Sequence, residues 1–206
     1  MNTRLALWVS AIASLGALAG CSVPSLQALH EPEPLVHDPG LLGEWESDSA
    51  TPMRVTIRNG VHGKYEAVLS SDKIRSLAGG LKLEVGVTEI GADRYVDLYL
   101  SRDERELLIE RYGYLVLPVH QFMAMRREHD TLSVWFFDAE WLRRASAEHG
   151  FVAEIVKIGG DEVPVVTGDA RQLRAYLSRH AHDAGARTSP TVFKRKSSSG
   201  LAGSPR

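Results

Sequence analysis

The strongest constraint on this chain is a period of two that runs through most of its length. In Met53–Arg58, Val55 and Ile57 alternate with Arg54, Thr56 and Arg58. Tyr65, Ala67 and Leu69 alternate with Lys64, Glu66 and Ser70. Leu81, Leu83, Val85 and Val87 are set against Lys82, Glu84 and Thr88, and Val96, Leu98 and Leu100 against Tyr95, Asp97 and Tyr99. Strict alternation predicts half-buried antiparallel strands with one wet face. Asn59-Gly60, Gly79-Gly80 and Gly91-Ala92-Asp93 separate them as turns, and Glu128-His129-Asp130 predicts a hairpin between 113–128 and 131–138.

Helical spacing enters late. Asp138 is a candidate N-cap for a helix ending before Gly150, with Trp141, Leu142 and Ala145 on one face. Thr167 is a candidate cap for a second helix carrying Ala170, Leu173, Tyr176, Leu177 and His180. A strand pair, 151–158 and 162–166, lies between them around Gly159-Gly160, and 190–196 reads as a last strand. Strands first and helices late disfavour a parallel βαβ sheet. The expected fold is mainly β (β+α): an antiparallel barrel-like or sandwich sheet with two late helices, in one domain over 41–196.

The first twenty residues form an export signal: Arg4, an uncharged run from Leu5 to Leu15, then small residues. The apolar run is short for a transmembrane span. Cys21 is the single cysteine of 206 residues, so an internal disulfide and a multi-thiolate metal site are excluded. Leu18-Ala19-Gly20-Cys21 resembles a bacterial lipobox. That resemblance implies cleavage before Cys21 and lipid on its sulfur and amine (diacylglycerol and an acyl chain such as palmitate). Several chains anchor durably where one is marginal. Ser22, rather than Asp, implies the outer rather than the inner membrane in the enterobacterial sorting pattern. The expected protein is thus a lipid-anchored component of the bacterial cell envelope, facing the periplasm. Pro24, Pro32, Pro34 and Pro39 predict a tether over 21–40, and 197–206 reads as a disordered tail.

Gly43-Glu44-Trp45 resembles the G-x-W signature of lipocalins and related calycin barrels. The resemblance implies a calycin-like barrel in which Trp45 plugs the closed end and an Arg near the last strand lies across its ring. Arg195 is the best-placed residue for that role, and the pair would be the structural closure. The interposed helix at 139–149 departs from the lipocalin pattern, as does the lack of a T-D-Y motif.

No catalytic residue is assigned. No G-x-S-x-G, H-E-x-x-H or P-loop occurs, so no enzyme activity and no cofactor is expected. With 24 basic and 26 acidic side chains, no basic field marks a nucleic-acid binder. His180 and His182 point about 200° apart on a helix, which disfavours a shared metal ion. His120 lies in an apolar strand region, and Trp135 and Phe137 share one strand face opposite Val134 and Phe136. These three are the candidate contacts for a ligand or partner, and the helix at 139–149 is the plainer cover for the aromatic face. The expected function is a binding or structural module for a small apolar ligand or an envelope protein. The alternative is a periplasm-facing hydrolase whose site is assembled from scattered His, Asp and Glu residues.

Overall fold

A computed structural model of the chain describes residues 23–30, 34–112, 118–149, 153–158 and 161–196. The leader, Cys21, Tyr114, the Gly159-Gly160 turn and the tail lie outside the described residues.

Strands β1 (Pro24–Ser25), β2 (Gly43–Ser47), β3 (Arg54–Asn59), β4 (Tyr65–Ser70), β5 (Leu81–Ile90) and β6 (Asp93–Leu100) come first. Helix α1 (Arg102–Tyr112) leads to β7 (His120–Glu128) and β8 (Thr131–Trp135). Then follow α2 (Ala139–His149), β9 (Ala153–Ile158), β10 (Asp161–Val166), α3 (Ala170–His180) and β11 (Thr191–Arg195). From β2 to β8 each strand pairs antiparallel with the next. β11 then pairs with both β8 and β2 and shuts the sheet into a barrel of eight strands. Closure removes the sheet edges that an open sheet must protect. The expected antiparallel barrel is the fold, and the sandwich alternative falls.

Two cores follow from the alternation. The lumen is filled by Trp45, Ile57, Tyr65, Ala67, Leu83, Val85, Val87, Met125, Leu132, Val134 and Phe193. A second core lies outside the wall, where α2, α3 and the N-terminal segment cover Ile90, Tyr95, Phe122 and Ala124. The wet face expected on β6 is therefore corrected: Tyr95 is 0% and Asp97 2% exposed. Alternation shows that the two faces differ, and here both are covered.

The tether expected over 21–40 is also corrected. Val23 and Leu29 are each 1% exposed within the outer core, and β1 pairs antiparallel with β7 at Ser25↔His120. Val36 N–H donates to Val87 O at 2.8 Å, and Asp38 caps a 3-10 turn at Pro39–Leu41. Pro24 lies in β1 and Pro39 opens the 3-10 turn, and the described parts of this segment, 23–30 and 34–38, lie along the wall as a strap. The folded body thus begins at least as early as Val23 rather than at 41.

Among the described residues there are three α-helices where two were expected. α1 carries charge on every side and has no buried residue, so it shows no apolar stripe. Asp138 caps α2 by accepting from Trp141 N at 2.7 Å. α3 is capped by Asp169, not Thr167, through Arg171 N at 2.6 Å. Among the described residues β7 starts at His120, with β1 pairing from His120 and β6 from Gln121; 113–117 of the expected strand lie outside the described residues.

Candidate functional site

β6 turns Tyr95, Asp97 and Tyr99 to the outside of the wall, and β7 turns His120 and Phe122 the same way. The strap crosses this surface. At its centre Asp97 lies between two imidazoles: His120 Nδ1 is 2.7 Å from Oδ1, and His30 Nδ1 is 3.3 Å from Oδ2. Leu29 N–H also donates to Oδ2, at 2.6 Å. Gly86 sits opposite Asp97 on β5, and a Cβ there would lie 3.2 Å from His30 Nδ1 and 3.1 Å from Leu35 Cδ2. The missing side chain makes the seat for the strap.

Burial alone would raise the Asp97 pKa. Hydrogen bonds from His120 and His30, the neighbouring charge of His120 and the Leu29 N–H outweigh it, and the carboxyl is held below its ordinary 3.8. An ionised carboxylate only accepts, so both imidazoles donate through Nδ1. The His120 ring stacks on Tyr99 at 4.1 Å, and Arg105 lies 4.5 Å over the other ring while pairing with Glu84 at 3.0 Å. Among the described residues His120 Nε2 makes no hydrogen bond, and the His120 side chain is 15% exposed. The arrangement orients an imidazole with one free nitrogen, which is the geometry of a general base.

A second polar cluster lies where β2, β11 and the 3-10 turn at Pro39–Leu41 meet. Trp45 is fully buried and donates from Nε1 to Leu41 O at 2.8 Å. Arg195, its register partner on β11, lies 4.2 Å over the indole ring. Its guanidinium donates to Leu42 O at 2.6 Å and to Gly40 O, and pairs with Asp130 at 3.0 Å. Asp38 is bound by Arg127 at 3.2 Å and Arg94 at 3.1 Å. Burial works to raise its pKa, but the Arg127 hydrogen bond, the Gly40 N–H and the charges of Arg127 and Arg94 bring it below 3.8. The structure thus brings Trp45 and Arg195 together, ring against guanidinium.

Phe137 is 0% exposed, between Tyr95, Phe122 and Trp141, so α2 and the wall cover it and no ligand reaches it. Its assignment as a ligand or partner contact is corrected on that ground. Trp135 is half-buried against the same core, with Arg126 5.9 Å over its ring. His180 pairs with Asp183 at 3.0 Å and His182 with Asp93 at 2.7 Å, so the two serve different carboxylates. Among the described residues no group of three His, Cys, Asp or Glu is placed to hold a metal ion.

Sequence reasoning found His120 but missed Asp97, His30 and Asp38. The available signal for Asp97 was its place between two tyrosines on one face of a strand. No family model, curated protein or solved structure matches the chain.

Proposed function

We propose that this chain is a lipid-anchored protein of the bacterial envelope whose barrel is a rigid structural or partner-binding module facing the periplasm. The leader and Leu18-Ala19-Gly20-Cys21 support the anchor. The packed lumen carries the choice of module over ligand cup: Trp45, Tyr65, Val87 and Phe193 fill the space that a small apolar ligand would need. Recognition then falls to the outer surface. The test joins membrane fractionation to ligand titration. Wild type fractionates with membranes and Cys21→Ser does not, and the soluble body shows no saturable uptake of a dansyl-labelled fatty acid. One-to-one saturable uptake returns the small-ligand reading, and unchanged fractionation of Cys21→Ser removes the anchor.

A second reading rests on the Asp97–His120 pair. A buried carboxylate that fixes Nδ1–H and leaves Nε2 free supports base catalysis on a water or hydroxyl, hence a hydrolase. Screening the pure protein against activated esters separates the readings. Turnover abolished by His120→Gln, with the fold retained, establishes the hydrolase; turnover equal in both proteins excludes His120 from it.

A further inference from the structure

We propose that one face of the three-stranded extension β1–β10–β9 is the surface on which this protein rests on a phospholipid membrane, with the acyl chains of Cys21 entering the bilayer at its margin. The proposal rests on the lipid attachment proposed above.

The length of free chain carries the argument. Only Ser22 separates Cys21 from Val23, which is 1% exposed in the outer core. Two residues span at most about 7 Å. An acylated Cys21 therefore holds the body directly against the membrane, and the part of the body that meets it surrounds β1.

Register shows what that part offers. β1 lies parallel to β10 with Ser25 opposite Val166, and both side chains are fully buried toward the outer core. Pro24 and Val165 consequently take the opposite face. On that face the β9–β10 register adds Val163 opposite Val156, and Glu154 opposite Val165. Val156 is 41% exposed, and Leu26, which follows β1, is 39% exposed. Solvated sheet faces normally carry polar residues, whereas on this one Val156 is exposed and Pro24, Val163 and Val165 are half-buried; Ile155, on the other face of β9, is also 41% exposed. Depth is limited. Among the described residues β9 pairs only with β10, so its outer peptide groups need water, and Glu154 shares the face. Contact is thus confined to the headgroup region, where water and apolar surface coexist.

The test uses the full lipidated chain in vesicles of phosphatidylethanolamine and phosphatidylglycerol. Lipidation consumes the Cys21 sulfur, so Val156→Cys and Val61→Cys each present a single thiol for a fluorescent probe. Val61, 67% exposed at the β3–β4 turn, is the reference position. A nitroxide-bearing phospholipid should quench the probe at 156 several-fold more than the probe at 61. Hydrogen exchange needs no substitution: amides of 154–157 should slow in vesicles relative to unlipidated Cys21→Ser protein in buffer. Equal quenching at both positions with unslowed exchange, while intact mass shows lipid on Cys21, overturns the seat and leaves the anchor standing. A mass without lipid removes the anchor itself and the seat with it. Slowing that depends on protein concentration in buffer, without vesicles, assigns the face to a second copy of the chain and overturns the membrane proposal.

Discussion

Arg195 and Trp45 face each other across the β11–β2 seam, the guanidinium 4.2 Å from the ring centroid, at the last pairing that closes the barrel. One side chain covers the ring and also satisfies the carbonyls of Gly40 and Leu42. Trp45→Ala should cost about 3–5 kcal/mol, as expected for a large buried aromatic. Arg195→Ala should cost less. Because the two touch, the double variant should depart from the sum by more than about 0.5 kcal/mol. Arg195→Lys should rescue little, since an ammonium cannot both stack and fork. Denaturant unfolding of the four proteins measures this, and strict additivity would show the two side chains to be energetically independent.

Gly43 is the other half of that closure. Its φ is 123°, and a Cβ there would meet Arg195 Nη1 at 2.8 Å. Gly43→Ala should therefore destabilise by more than the 0.4–1 kcal/mol or so that the same change gains at a compatible site. It should also raise the exposure of Trp45, read as a red shift of emission in a Trp135→Phe, Trp141→Phe background. A stabilised variant with unshifted emission would contradict this account.

The barrel strands were legible because alternation is a local signal, and the last strand was legible from Val192 and Phe193 amid charged neighbours. Which face was wet was not legible, because the cover comes from far along the chain: the strap, α2 and α3. The strap itself was hidden by its prolines, which read as a tether although Pro24 sits in a strand that pairs with β7. α1 was hidden because Leu107 and Ile109 stay exposed and leave no stripe to find. The Asp97 cluster joins residues 67 and 23 positions apart, so only the fold assembles it. Trp45 and Arg195 were legible through a resemblance rather than through periodicity.

The strap should stabilise the fold. Val23 and Leu29 are buried in the outer core, Ala28 is buried beside them in sequence, and Arg174 donates to Leu29 O at 3.2 Å and to Thr88 Oγ1 at 2.9 Å. Leu29→Ala should cost about 2–5 kcal/mol. At about 2–4 °C per kcal/mol for a domain of this size, a chain starting at Leu41 should melt well below one starting at Ser22. Coincident melting curves for the two lengths would mean that the strap does not pack. Leu107→Ser on α1, by contrast, should stay within about 0.5 kcal/mol of wild type, as a surface change does.

Asp97 should set the acid limit of the strap. Its pKa is lowered in the folded protein, from an ordinary value of 3.8, by the two imidazoles and the Leu29 N–H acting against burial. A lowered carboxyl contributes stability that is present above its unfolded pKa and lost as pH falls through the folded one. The loss therefore belongs below about pH 3.8, and stability from this group should be flat from there to neutrality. Asp97→Asn keeps an acceptor for Leu29 N–H but removes the charge facing His30 and His120. It should cost about 1.5–3 kcal/mol near neutral pH, the range for hydrogen bonds to a charged group. The difference from wild type should shrink below pH 3.8, where the wild-type carboxyl also becomes neutral. Unfolding midpoints of both proteins across the acid range measure it, and hydrogen exchange at Leu29 reports whether the strap opens first. A wild-type minus variant difference that holds constant through the acid range would show that the Asp97 charge does not hold the strap to the barrel.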